Sequence, residues 1–218
     1  MNNKKRITLI TLVCLLTAAL MIGGTLAWLT DTDAKDNLIK IATIGTTPEE
    51  PNWPDPDNPV TVYPGIPQAK DPTIKLDEGS EPVYVRAIVK VSKDMYDALQ
   101  AGTGVDFKDK DGNVLLTGAA MPSCNEGWTM QSTKESDDTY YYLEYRYANI
   151  LSEEGTTATT PVFSGFQLKS TVTAEDMEGV DMNISIKSQA IQAAGFASAD
   201  AALAELGTAV SVFETAAE

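Results

Sequence analysis

The chain has 218 residues, 43% of them hydrophobic, and carries 31 acidic against 16 basic side chains for a net charge of −15. A surface this acidic repels nucleic acid and anionic lipid headgroups. Histidine is absent, which removes HExxH zinc sites, Ser-His-Asp triads and Cys-His dyads together.

Lys4, Lys5 and Arg6 precede a run, Ile7 to Ile22, that is apolar or nearly so. Those residues make roughly 24 Å of helix at ~1.5 Å per residue, against a bilayer core of about 30 Å. The basic start, the short apolar run and the small-residue pattern Thr25-Leu26-Ala27 read as a secretory signal peptide over residues 1–27. Thr25 and Ala27 fit the shallow pockets of signal peptidase, which places the cut between Ala27 and Trp28. Continuing the helix to Leu29 would instead give a span with Trp28 at the interface. Gly23 and Gly24 each weaken a helix by roughly 1 kcal/mol relative to Ala, and so favour the extended, cleavable end. Cys14 sits mid-run behind the bulky Val13, a poor lipoprotein site. Cleavage removes the three basic residues and Cys14. It leaves 13 basic against 31 acidic side chains, a net of −18, and Cys124 alone. With no internal disulfide to form, an exported fold rests on its core.

Asn37 to Ile44 is rich in β-branched residues and predicts a strand within an N-terminal segment, residues 28–45. Residues 46–67 hold Pro48, Pro51, Pro54, Pro56, Pro59, Pro64 and Pro67 among acids. They predict an extended surface loop, with a short strand at Val60–Tyr63. From Asp71 the pattern turns strongly β. Pro72–Leu76 is a short strand and Glu78-Gly79-Ser80 a turn. Val83–Val91 puts Val83, Val85, Ala87, Val89 and Val91 on one face and Tyr84, Arg86 and Lys90 on the other, a half-buried antiparallel strand. Ser92 caps a short helix, Lys93–Ala101, closed by Gly102.

Asp109–Asn113 is a hairpin-type turn. Thr139–Tyr147 alternates with tyrosines on both faces: Tyr141, Leu143, Tyr145 and Tyr147 line the core, while Tyr140 and Tyr142 sit half exposed. Pro161–Leu168 and Val180–Ser188 alternate again, the latter burying Val180, Met182, Ile184 and Ile186. Gly195 breaks the chain, and Ser198 caps an Ala-rich helix or tail over residues 197–218. The reading is mainly β: an antiparallel β-sandwich with one or two short helices after an N-terminal signal helix, its core over residues 68–196 together with 28–45.

No spacing singles out a catalytic site, and no cofactor is implied. Asp106, Asp109 and Asp111 suggest calcium. An EF-hand loop here would need an acid at Phe107 and Glu at Gly118, and neither is present. Loose capture of Ca²⁺ by these acids, with Asp55 and Asp57, stays open. Cys124 lacks the usual base of a nucleophile and reads as a structural thiol.

GGTLAWLTDT (Gly23–Thr32) resembles the signal end of exported Gram-positive bacterial proteins processed by the SipW class of signal peptidase. PGIPQAKDPTIK (Pro64–Lys75), EPVYVRAIVKVS (Glu81–Ser92), TYYYLEY (Thr139–Tyr145) and ISIKSQAIQAAGF (Ile184–Phe196) are similar to phrases of the TasA/camelysin group. The resemblance covers most of the chain outside the Pro-rich loop and the C-terminal tail. It implies a secreted protein of the cell surface or a biofilm-type matrix, beginning at Trp28, with SipW-class peptidase as its export partner. It further implies a jelly-roll form of the sandwich, and association with itself or with another matrix protein, the self-association by a donated N-terminal strand that starts at Trp28 and carries Leu29, Leu38, Ile39, Ile41 and Ile44. Membrane contact is then only through the uncleaved leader. Camelysin-type relatives carry a metalloendopeptidase label, for which this chain shows no His-based site. A sugar- or Ca²⁺-binding adhesive module is the remaining reading.

Overall fold

The largest sheet is organised around one strand that is buried on both faces. In the computed structural model, which describes residues 44–53, 60–109, 111–131 and 134–214, strands β1 (Thr46–Glu49), β2 (Gln68–Ala69), β3 (Thr73–Leu76) and β4 (Val83–Ser92) come first. Helix α1 (Lys93–Ala98) follows, then β5 (Gly102–Lys108), β6 (Val114–Ala120), β7 (Trp128–Met130), β8 (Glu135–Ser136), β9 (Tyr140–Tyr147), β10 (Gly165–Phe166) and β11 (Ser185–Gln192). Two short helices, α2 (Ala199–Leu203) and α3 (Ser211–Glu214), lie near the C-terminus. These residues belong to one compact unit, Ala42–Glu218; the other unit, Met1–Ile41, lies outside the described residues.

The five-stranded sheet runs β11-β4-β9-β7, with β8 also paired to β9, and all its pairings are antiparallel. The four-stranded sheet runs β2-β10-β6-β5, with one parallel step between β10 and β6. β1 and β3 form a separate antiparallel pair. Val83, Val85, Ala87, Val89 and Val91 of β4 face Met121, Val162, Phe163, Phe166 and Leu168 across one apolar core, which Leu143, Tyr145 and Tyr147 of β9 complete. This is the β-sandwich that the alternation predicts.

β4 departs from the half-buried expectation. Tyr84, Arg86 and Ile88, on its second face, are buried as well. The cover is the C-terminal segment. Ala202, Leu203 and Ala193 pack on Tyr84, while Ala209 and Val212 pack on Ile88 and Tyr142. Ser198 caps α2, accepting from the Ala201 N–H at 3.2 Å, and Gly195 turns the chain at φ +91° just before it. The segment expected as a helix or tail is thus a third layer. Tyr142 is buried under it rather than half exposed, because Val212 and Phe213 lie across its ring.

Other expectations shift for local reasons. β1 falls inside the predicted Pro-rich loop: its Pro48 is opposite Ile74 on a strand that pairs only with β3 among the described residues, where a missing N–H is tolerated. Residues 60–63 form no strand. Helix α1 stops at Ala98, because Leu99 turns extended and bridges to Leu168. Met182 is exposed, since β11 begins only at Ser185. Within 161–168 only Gly165 and Phe166 pair as strand, although Val162, Phe163 and Leu168 are buried.

Candidate functional site

The chemistry of the outer sheet face centres on Arg86. It sits mid-strand with 2% of its surface exposed, so its charge must be met by hydrogen-bonding partners. Nε donates to Gln189 Oε1 at 2.9 Å, Nη1 to Glu144 Oε2 at 3.2 Å, and Nη2 to Gln189 and to the Gly207 carbonyl. Glu144 in turn accepts from Arg146 Nε at 2.6 Å, and Arg146 Nη1 reaches Asp200 at 3.2 Å. Partial burial works against the Arg146 charge, but the Glu144 and Asp200 carboxylates overcome it and raise its pKa. The network joins β11, β4, β9 and the C-terminal cover. All three nitrogens of the Arg86 guanidinium meet protein acceptors, a structural arrangement.

The tyrosines of β9 divide between the two faces. Tyr145 is fully buried, and its hydroxyl donates to the Pro122 carbonyl at 2.9 Å; burial pushes its pKa well up. Tyr141 stacks edge-on with Tyr96 of α1 at 5.1 Å between centroids, with Lys134 Nζ 4.1 Å from the Tyr96 ring and 4.4 Å from the Tyr141 ring. Tyr140 donates to Asp181 at 2.9 Å, which raises its pKa, and Lys90 Nζ lies 3.9 Å from its ring. The Tyr142 hydroxyl donates to Asp137 at 2.6 Å, the main cause of a lowered Asp137 pKa. The rings are thus engaged by neighbouring side chains.

The cleavage residues Thr25, Ala27 and Trp28 lie outside the described residues, as do Leu29, Leu38, Ile39 and Ile41 of the expected donor segment. Ile44 is described: it is 39% exposed and not in a strand. Gly45, next to it, donates to Ser80 Oγ at 3.1 Å and accepts from the Asp77 N–H at 3.0 Å. Asp109 holds its own turn, accepting from the N–H groups of Asp111 and Asn113, and Asp106 accepts from the Thr117 hydroxyl. Asp55 and Asp57 fall outside the described residues. Among the described residues no group of three or more Cys, Asp or Glu side chains stands close enough to hold a metal ion, and Asp106, Asp109 and Asp111 form no such group. Cys124 is half buried, its thiol 3.3 Å from the Trp128 carbonyl.

What the geometry offers instead is edges and protrusions. β11 pairs with β4 on one side and with no strand on the other among the described residues. Thr46 stands beside this edge, its hydroxyl 3.2 Å from that of Ser188. At the end of β9, a groove of about 560 Å³ opens between Met130, Arg146, Ala148 and Asp200. No family model, no curated protein and no solved structure matches this chain. The Arg86 network and the groove escaped sequence reasoning. The one available signal was an arginine in the middle of an apolar strand, a position that demands partners.

Proposed function

We propose that the chain is an exported structural protein of the cell surface or extracellular matrix that associates with itself by strand donation. The observation that carries this reading is the edge of β11, eight residues long, which pairs with no strand on that side among the described residues and has Thr46 of β1 beside it. Thr46 directly follows the segment 28–45, so a copy freed at Trp28 has a β-branched segment rooted where a sheet edge accepts a strand. Main-chain hydrogen bonds then supply the joint, and no new side-chain chemistry is needed. The signal-end motif Gly23–Thr32 supports export through a SipW-class peptidase, and the net charge of −18 after cleavage supports solubility outside the cell.

Deleting Trp28–Ile44 from the cleaved form tests the reading. The expected result is loss of polymers in negative-stain micrographs while the β circular dichroism persists. Polymers that survive the deletion unchanged would sink strand donation.

A further inference from the structure

Residues 45–53 lie against the sandwich as a strap, and what fastens them differs from what holds the core. Thr47, Pro48 and Glu49 of β1 are exposed, and the strap's one large apolar side chain, Trp53, is only partly buried against the core. β1 pairs with β3 over four residues and with no other strand among the described residues. Ordering such a segment costs conformational entropy that one half-buried ring does not offset. Polar fastenings at the two ends supply the rest.

At the first end, the Gly45 N–H donates to Ser80 Oγ at 3.1 Å, and the Gly45 carbonyl accepts from the Asp77 N–H at 3.0 Å. At the second end, Lys70 and Asp71, neighbours in sequence, are only 6% and 4% exposed. Lys70 Nζ donates to both carboxylate oxygens of Glu50 at 2.8 Å and stands 4.5 Å from the centre of the Trp53 ring. Asp71 accepts from the Asn52 N–H at 2.9 Å on one oxygen and from Asn52 Nδ2 at 2.7 Å on the other. A lysine and an aspartate are thus buried under the strap, and the strap supplies the partners of both side chains.

Such a clasp is selective without being strong. An ion pair taken out of water gains little net energy, because desolvation offsets the Coulomb attraction. When the strap lifts, water reaches Lys70 and Asp71 again, so the open form holds no stranded charge. Apolar packing has no such exit: lifting β4 would expose Val83, Val85, Val89 and Val91. The strap therefore belongs to the low end of the local openings that a native fold permits.

We propose that residues 45–53 form a latch, fastened by the Lys70–Asp71 clasp, which opens as a unit while the sandwich stays folded. Opening bares the edge of β3 that faces β1. It also releases Gly45 from the Asp77–Ser80 turn and Thr46 from Ser188, which lengthens the tether of the segment before Gly45 by roughly 30 Å at ~3.3 Å per residue. The latch so sets how far that segment can travel. This consequence rests on the self-association reading above; the opening itself does not.

The test is native-state hydrogen exchange of the cleaved form, read residue by residue by NMR over a series of low urea concentrations. The amides of Gly45, Asn52, Trp53 and Asp77 should share one opening free energy with a weak urea dependence, because little surface is exposed. Those of Val85, Ala87 and Val89 should exchange at least about tenfold more slowly, a gap of ~1.4 kcal/mol or more, with the full urea dependence. Val89→Ala weakens the sandwich in the latched and unlatched forms alike, so it should speed the β4 amides and leave the strap amides unmoved. Glu50→Ala should speed the strap amides at least about tenfold. One rate and one urea slope for both sets, or a Val89→Ala effect shared equally by them, would overturn the latch. Strap amides unmoved by Glu50→Ala would overturn the clasp as its fastening. None of these readouts involves residues 28–44, so they stand apart from the deletion that tests strand donation.

Discussion

Arg86 of the central strand donates to the carbonyl of Gly207, across 121 residues of sequence. The bond ties the sandwich to its C-terminal cover, and the same guanidinium faces Glu144, whose side chain is 11% exposed. Removing one partner of a buried ion pair leaves the other uncompensated. Arg86→Ala should therefore lower stability by about 3 kcal/mol. Urea denaturation followed by tyrosine fluorescence checks this, with a reduced midpoint and an unchanged slope as the expected outcome.

The cover itself is held mainly by apolar contact. Leu203 is fully buried against Tyr84, so Leu203→Ala should cost about 2–5 kcal/mol and loosen the layer. Dye binding to exposed apolar surface should rise before the sandwich unfolds. A single transition with no rise in dye signal would show that cover and sandwich unfold as one.

Gly165 is required by the ring of Phe107. A Cβ at position 165 would stand 2.2 Å from both Phe107 Cε1 and the Gln68 carbonyl oxygen, and the latter is backbone that cannot rotate away. Gly165→Ala should destabilise by at least about 1–3 kcal/mol through forced displacement of β2 and Phe107. A paired Phe107→Leu substitution should relieve the ring clash but not the clash with the carbonyl, so thermal melts of the double variant should recover only in part.

Acid sensitivity follows from Asp137. The Tyr142 hydroxyl and then the Tyr140 N–H hold its carboxyl below the ordinary range, against a small opposing effect of burial. The folded value lies below the unfolded value of about 3.9, so this contribution is complete above that pH and is lost as pH falls through the folded value. Asp137→Asn should thus lose less stability than the parent between about pH 6 and about pH 3. Tyr140 has the opposite sign: its bond to Asp181 raises its pKa, and the contribution fades as pH rises through the folded value.

The inner faces of the strands were legible because alternation there reports contact with one core: Val83 to Val91 and Leu143 to Tyr147 all fall where the period of two places them. The outer faces were not. Whether Tyr84, Ile88 and Tyr142 meet water depends on residues 193–214, far along the chain, and no local pattern encodes that meeting. β1 was hidden by Pro48, which argues against a strand unless the strand is known to lie at an edge. The groove at Arg146 was equally hidden, since β7, β9 and α2 each supply only one side of it.

The decisive measurement is the N-terminal sequence and size distribution of the protein recovered from culture medium. A chain starting at Trp28 and sedimenting as polymers that fall apart when residues 28–44 are removed is the expected result. A full-length, envelope-bound chain, or a cleaved one that stays monomeric at every concentration, would contradict an exported protein built to join copies of itself.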